Sequence, residues 1–325
     1  MNNVHAGAAP RVKGPLSLQP VETVDHIAPL DFKYNYYDKQ VPLVIRDLAK
    51  SWPAYNKWNW DYFKKIVGHK TVGIYNNVKS DAYSPVNKAD DYTTFGNYID
   101  MINGGNSEWR IFLFNIFRHA PQTLSDFTWP DELMKGFIKR VPMLFVGGKG
   151  SITHMHYDID LSHVLHTQFA GKKQVLLFPH HEQHKLYRKP FEVLSLVDFS
   201  YFHDAEKNHI DLKKFPALKH AHGYSTTLDH GDTLFMPGGY WHHMEYAGSG
   251  FAMSLRAMQS TLSGKMHALW NLVGMRNIDT LMKKAAPVPW YLWKERTLYE
   301  NANRTIQHYH THEPFSLSNI DHLFD

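Results

Sequence analysis

The chain contains no cysteine. Disulfides, thiolate zinc sites and cysteine nucleophiles are therefore excluded, and any bound metal must be held by nitrogen and oxygen. No stretch approaches the run of about eighteen apolar residues that a membrane-spanning helix needs. The opening segment "MNNVHAGAAPRVKGP" has no apolar core of the kind a secretory signal requires. Both absences predict an unexported, cytoplasmic protein with no membrane partner. Lysines and arginines are dispersed and the formal charge is only +4, so no basic nucleic-acid stripe is expected. That balance gives no support to an RNA partner but leaves tRNA open. Internal repeats and low-complexity tracts are missing too.

What is present is the composition of a folded protein. The 325 residues are 43% hydrophobic and 14% aromatic, enough to bury a full core. One domain is expected over residues 1–325, with residues 1–20 flexible. "VPLVIRDLAKSWPAYNKWNWDYFKKIVGHKTVGIY", Val41 to Tyr75, predicts short strands around a helix from about Asn59. Tyr92 to Asn103 carries Phe95, Tyr98, Ile99 and Ile102 at helical spacing, with Gly104 and Gly105 as its stop. From Met143 to Met258 the pattern changes to short strands separated by turns, which predicts an antiparallel sandwich or barrel. A long polar and aromatic insert, residues 192–224, interrupts them. Its Tyr201, Phe202 and Tyr224 are expected to shape an entrance. Beyond Gln259 the pattern is helical, with Pro287 and Pro289 as breaks.

With 23 histidines in the chain, roughly one or two His-x-Asp triplets should occur by chance, and three do. His209-Ile-Asp211 lies in a polar, loop-like segment. His230-Gly-Asp232 reads as a turn with Asp232 as its cap. His156-Tyr-Asp158, in "SITHMHYDID", ends a strand-like run, where residues two apart share a face. Both could reach one ion. Alternation also puts His154 on the face of His156. In "FMPGGYWHHMEYA", either His242 or His243 could add a third donor from a later strand. Two histidines and a carboxylate leave coordination positions open, a set suited to iron(II) and oxygen.

These residues carry a resemblance. "THMHYD", "GKKQVLLFP", "GDTLFMPGGYWHH" and "GFAMSLR", with "VPLVIRDLAKSWPAYNKW" upstream, resemble the jumonji C (JmjC) or cupin-like iron(II)/2-oxoglutarate oxygenases, nearest the factor-inhibiting-HIF asparaginyl hydroxylase branch. The likeness spans about Val41 to Met258. It implies a mainly β fold, a double-stranded β-helix or jelly roll, with N-terminal α/β elements and a helical extension over 259–325. It implies iron ligands at His156, Asp158 and His242. Lys173, two residues after the Gly171 turn, and Thr153 would hold the distal carboxylate of 2-oxoglutarate. Phe112 stands where the branch has a tyrosine, and Arg256 where the hydroxylase has an asparagine. His166 shares a strand face with Val164 and Gln168 and could offer the co-substrate a polar contact, whereas His154 and Asp160 have no assigned part.

The implied activity is hydroxylation of a protein or peptide side chain, using O2 and giving succinate and CO2. tRNA, small molecules and methylated lysine are the other substrates of such chemistry. A non-oxygenase cupin, an isomerase or a plain metal-binding module, would need no lysine at position 173. The apolar C-terminal helices, "LWNLVGM" and "WYLWKERTLY", would by the same resemblance form a homodimer contact.

Overall fold

Alternating side chains and Gly- or Pro-bounded turns build two facing sheets in the computed structural model, which describes residues 16–78, 89–105, 107–112, 114–204 and 206–307. Six short strands come first: β1 (Ser17–Pro20), β2 (Glu22–Val24), β3 (Leu43–Ile45), β4 (Thr71–Tyr75), β5 (Asp91–Thr94) and β6 (Arg110–Ile111). The core strands are β7 (Met143–Gly147), β8 (Ile152–His156), β9 (His163–Ala170), β10 (Lys173–Phe178), β11 (His222–Leu228), β12 (Thr233–Met236), β13 (Trp241–Tyr246) and β14 (Gly250–Ala257). The five-stranded sheet runs β1-β11-β10-β13-β8, and the nine-stranded sheet β2-β3-β12-β9-β14-β7-β6-β4-β5. β7 to β14 divide between the sheets, β11-β10-β13-β8 opposite β12-β9-β14-β7. This is the expected double-stranded β-helix.

The alternation is legible in β10. Val175 and Leu177 point between the sheets, where they join Val164, Leu234, Met236 and Met244. Leu176 and Phe178 point outward, to a layer made by the insert and the C-terminal helices around Trp241, Phe199 and Leu298. The nine-stranded sheet has its own outer layer, in which Phe251 of β14 packs on the helix Trp60–Val67. Gly171, at φ +69°, turns β9 into β10, and a Cβ there would stand 2.4 Å from the Ser249 carbonyl oxygen. Both sheets are thus covered on their outer faces, leaving the space between them for chemistry.

Several local expectations change. The segment Tyr92–Asn103 divides: Asp91–Thr94 forms β5, and the helix is Phe95–Asn103, begun by the Thr94 hydroxyl accepting from the Asn97 N–H at 3.2 Å. Within the stretch 1–20, expected to be flexible, Ser17–Pro20 pair in parallel with β11, and residues 1–15 lie outside the described residues. The insert ends earlier than predicted, because His222–Tyr224 already belong to β11. Pro287 marks the expected break, since the helix Arg276–Ala285 stops with Ala286 in a non-helical conformation just before it, and both prolines are then tolerated on its far side. They open the helix Pro287–Gln307, in the first turn, where a missing N–H costs nothing. That helix is tied down by buried Lys294, whose ammonium pairs with Asp279 at 2.9 Å and with Glu192 of the insert. Among the described residues, no helix is long and apolar enough to cross a membrane.

Phe251 is fully buried, its ring 4.9 Å from Trp60 and 5.1 Å from Phe63. Phe251→Ala should cost about 3–5 kcal/mol, seen as a lower urea midpoint at unchanged slope in a denaturation series.

Candidate metal centre

Strand register assembles the site. β8 and β13 run antiparallel, with His156 opposite His242 and Thr153 opposite Met244. Two steps along β13 therefore match three along β8, so β8 carries one extra residue, a β-bulge. Opposed residues share a face, as do His242 and Met244. Thr153, His156 and His242 thus all project between the sheets. The expected place of His154 is corrected by the same bulge: it turns to the outer side, its ring 6.3 Å from that of His243 and its Nε2 2.6 Å from the Asn77 carbonyl oxygen.

His156, Asp158 and His242 each offer a ligand atom, and these atoms lie within 4.8 Å of one another. The imidazoles are oriented by their own backbone. His156 Nδ1 is 2.8 Å from the His154 carbonyl oxygen and His242 Nδ1 is 3.1 Å from that of Tyr240. An Nδ1–H that donates to a carbonyl leaves the Nε2 lone pair free for a metal. Burial lowers the pKa of both rings, so both are neutral and ready to coordinate. Two imidazole nitrogens and one carboxylate are the donor set of an open divalent-metal site, and the geometry accommodates one ion.

The carboxylate is held from the other side. Arg256 of β14 places Nη2 3.0 Å from Asp158 Oδ2 and 2.6 Å from Asp160 Oδ1. Burial alone would raise Asp158, but the Arg256 guanidinium beside it outweighs that and keeps the carboxyl below its usual range. Asp160 is therefore no bystander. It shares the guanidinium and also accepts from the Ser162 hydroxyl at 2.8 Å. The signal available in the sequence was the charge balance, since one arginine on an inward face needs carboxylates nearby.

Deeper between the sheets stands a second cation. Lys173 is 1% exposed, with Nζ 2.9 Å from His166 Nε2 and 4.4 Å from the centre of the Tyr246 ring. Burial lowers its pKa to about 7. His166 is buried as well, and its Nδ1 lies 2.7 Å from the Ser254 hydroxyl. Phe112 brings no polar atom to this group. It follows β6 and meets Tyr75 edge-on at 5.8 Å.

His243, the alternative ligand, faces outward and is fully buried, with Nε2 2.8 Å from Glu245 Oε1. Glu245 also accepts from the Tyr201 N–H at 2.6 Å and lies 3.1 Å from His203 Nδ1. These partners push its carboxyl down to about 2 despite its burial. Tyr201 and Phe202 accordingly back the ligand strand and do not frame an entrance, as Phe202 packs 5.9 Å from the His243 ring. The insert reaches the site elsewhere. Val193 and Ser195 exchange backbone hydrogen bonds with Tyr157 and Met155, setting Leu194 beside His156. The other triplets are turns: Asp232 caps the Asp229 N–H at 2.9 Å, and Asp211 accepts from Lys213 and Lys214.

The cleft lined by Asp158 and His242 of the triad is small, bordered by Ser162, Val164, Met236 and Tyr240. A larger cavity of about 350 Å³ opens between Trp52, Leu48 and Leu133, where the triad has no part. The convergent ligands, and not the larger volume, identify the site.

Fold and centre together define a metal-binding jelly roll of the cupin type. Residues 29–261 match the cupin-like domain family, and the chain belongs to that family. It is similar to JmjC domain-containing protein D of Dictyostelium discoideum, 27% identical over 249 residues, 69% of this chain and 53% of that protein. Lysine-specific demethylase JMJ30 of Arabidopsis thaliana is 24% identical over 235 residues, 70% of this chain and 52% of that protein. HSPB1-associated protein 1 of Homo sapiens is 24% identical over 233 residues, 63% of this chain and 45% of that protein. The chain spans about half the length of the curated relatives it matches. These relatives share the JmjC family and do not single out the asparaginyl hydroxylase branch.

The opposite faces of His242 and His243 give a direct test. His242→Ala should weaken Mn(II) binding by about a hundredfold or more, whereas His243→Ala, if folded, should keep it within a fewfold. Titration followed by electron paramagnetic resonance separates the two.

Proposed function

We propose that the chain is an iron(II)- and 2-oxoglutarate-dependent oxygenase that hydroxylates a side chain of a protein or peptide. The observation that carries this reading is a buried cation, Lys173, in the same barrel interior as an open His-Asp-His set. JmjC proteins use iron(II), 2-oxoglutarate and oxygen. A cupin that only stores metal or isomerises its substrate has no need of a buried ammonium for a second carboxylate.

In this reading His156 and His242 offer fixed Nε2 lone pairs, because their Nδ1–H groups are committed to carbonyls. Asp158 gives one oxygen to the metal while Arg256 holds the other. Lys173 receives the distal carboxylate of 2-oxoglutarate, and the hydroxyl of Thr153, on the same inner face, adds a hydrogen bond to it. When bound, the iron supplies oxygen activation coupled to decarboxylation of the co-substrate to succinate and CO2. The walls formed by Met236, Val164 and Tyr240 keep bulk water from the reacting centre.

A second reading follows from the relative JMJ30 of Arabidopsis thaliana, which is named a lysine-specific demethylase. Hydroxylation of an N-methyl carbon gives a hemiaminal that releases formaldehyde, so the same centre serves both outcomes. A hydroxylated product gains one oxygen atom. A demethylated one loses a methyl group.

Purified protein with iron(II), ascorbate and labelled 2-oxoglutarate should release CO2, with more released when a substrate peptide is present. Absence of release from every preparation would overturn the reading. Lys173→Ala should keep Mn(II) and lose 2-oxoglutarate affinity. The wild-type protein should bind 2-oxoglutarate more weakly from pH 7 to 9, by up to about tenfold per unit. The sign follows from Lys173: its ammonium is lost above about pH 7, and a bound carboxylate must restore it with uptake of one proton. Calorimetry in two buffers of different ionisation enthalpy reads that proton.

The helices Leu262–Leu269 and Pro287–Gln307 leave Leu262, Met266, Leu269, Leu292 and Trp293 exposed. We propose that a second copy of the chain covers this face. Light scattering should give twice the mass of the 37.8 kDa chain, and Leu269→Glu with Leu292→Glu should return the monomer.

A further inference from the structure

The position of Lys173 raises a question that its charge alone does not answer. A lysine has a long, flexible stem, and an ammonium that is to meet a carboxylate at one point must be steered there. Lys173 leaves from the first position of β10, in the five-stranded sheet, and its Nζ meets the opposite sheet at His166 of β9. The ammonium can only donate, so His166 Nε2 must accept, and Nδ1 must then carry the ring proton. Ser254 of β14, paired directly opposite His166, stands 2.7 Å from Nδ1 and takes that N–H. All three residues are at most 4% exposed. The imidazole is kept neutral by burial first and by the neighbouring Lys173 charge second.

We infer that His166, with its tautomer set by Ser254, is a positioning residue for the co-substrate's distal carboxylate, because it aims the Lys173 ammonium. The inference rests on the proposed 2-oxoglutarate reading and deepens it. Lys173 donates one N–H to His166 and keeps two for carboxylate oxygens. The Tyr246 ring beneath it, 4.4 Å away, supports the cation without competing for a hydrogen bond. Ser254 was silent in the sequence, but it lies two residues before Arg256 on the same inward face of β14, so one strand orients both a metal-ligating carboxylate and the co-substrate cation.

A cross-sheet brace with no part in binding would make the same contacts, and one comparison separates the two roles. Mn(II)-loaded protein is titrated by calorimetry with 2-oxoglutarate and with 2-oxobutyrate, which keeps the chelating oxo-acid end but lacks the distal carboxylate. His166→Leu should weaken 2-oxoglutarate by about tenfold or more, leaving 2-oxobutyrate and Mn(II) affinity within about twofold. His166→Gln, whose amide oxygen can still accept from Lys173, should recover most of the loss. Ser254→Ala should show a smaller loss confined to 2-oxoglutarate, and it and His166→Gln serve as the test should the leucine variant not fold. Equal weakening of both ligands, or of neither, overturns the positioning role. If the wild-type protein itself does not prefer 2-oxoglutarate to 2-oxobutyrate, the co-substrate reading falls and the inference with it.

Discussion

One extra residue in β8 decides which side chains meet between the sheets. With His156 opposite His242 and Thr153 opposite Met244, the strand must absorb a residue between them, and it does so by turning His154 outward. The bulge costs regular pairing, but its backbone is put to use. The His154 carbonyl accepts from the His156 ring, and the Met155 carbonyl accepts from the Ser195 N–H at 3.0 Å. The insert therefore finishes the edge of the strand that the bulge disturbs. A straight β8 would put an imidazole where Thr153 now stands and send the threonine to the outer layer.

That arrangement sets a second constraint, because the space between the sheets must hold charge. Part of it is filled by Val175, Leu177, Leu234 and Met236. The rest contains Arg256, Lys173, His166 and Asp158, in surroundings where each charge needs a partner. Arg256 has two carboxylates. Lys173 has a neutral imidazole and an aromatic face, which satisfy a donor but do not neutralise a cation. Its lowered pKa expresses that deficit. A protein selected for stability alone would place a leucine there, so the buried lysine is an argument for an anionic ligand independent of any family likeness.

Much of this was legible in the sequence. Short runs bounded by Gly and Pro marked every core strand from β7 to β14, since alternation and turn residues are local properties. His156 and Asp158 could be paired because they lie two apart at a strand end. His242 and His243 could not be ranked by spacing, and only the opposite partners of the two rings separate them. The bulge was illegible for a different reason: nothing in "ITHMH" distinguishes a straight strand from a bulged one, because the register belongs to the partner strand. Asp160 and Ser254 were overlooked on the same grounds, as their contacts with Arg256 and His166 join residues 96 and 88 positions apart. The helix start at Phe95 was missed because Asp91–Thr94 are held as strand by pairing with β4, a tertiary contact that overrides local periodicity.

The two faces of β13 divide the labour of the site. On the inner face His242 must offer a lone pair, so its surroundings are left open to a ligand. On the outer face His243 and Glu245 are closed into a network with Tyr201 and His203. A strand fixed from behind in this way keeps a ligand in place without spending inward-facing positions on support. The chemistry available to such a centre is the same for a carbon on a side chain and for a carbon on a methylated nitrogen. In the proposed reading, selection between them comes from the border of the cleft, where Ser162, Met236 and Tyr240 stand. Of these, Ser162 lies in the loop before β9 and Tyr240 in the β12–β13 turn, so both can vary without disturbing the register of β8 on β13. Substrate choice and metal geometry are thereby carried by separate parts of the chain.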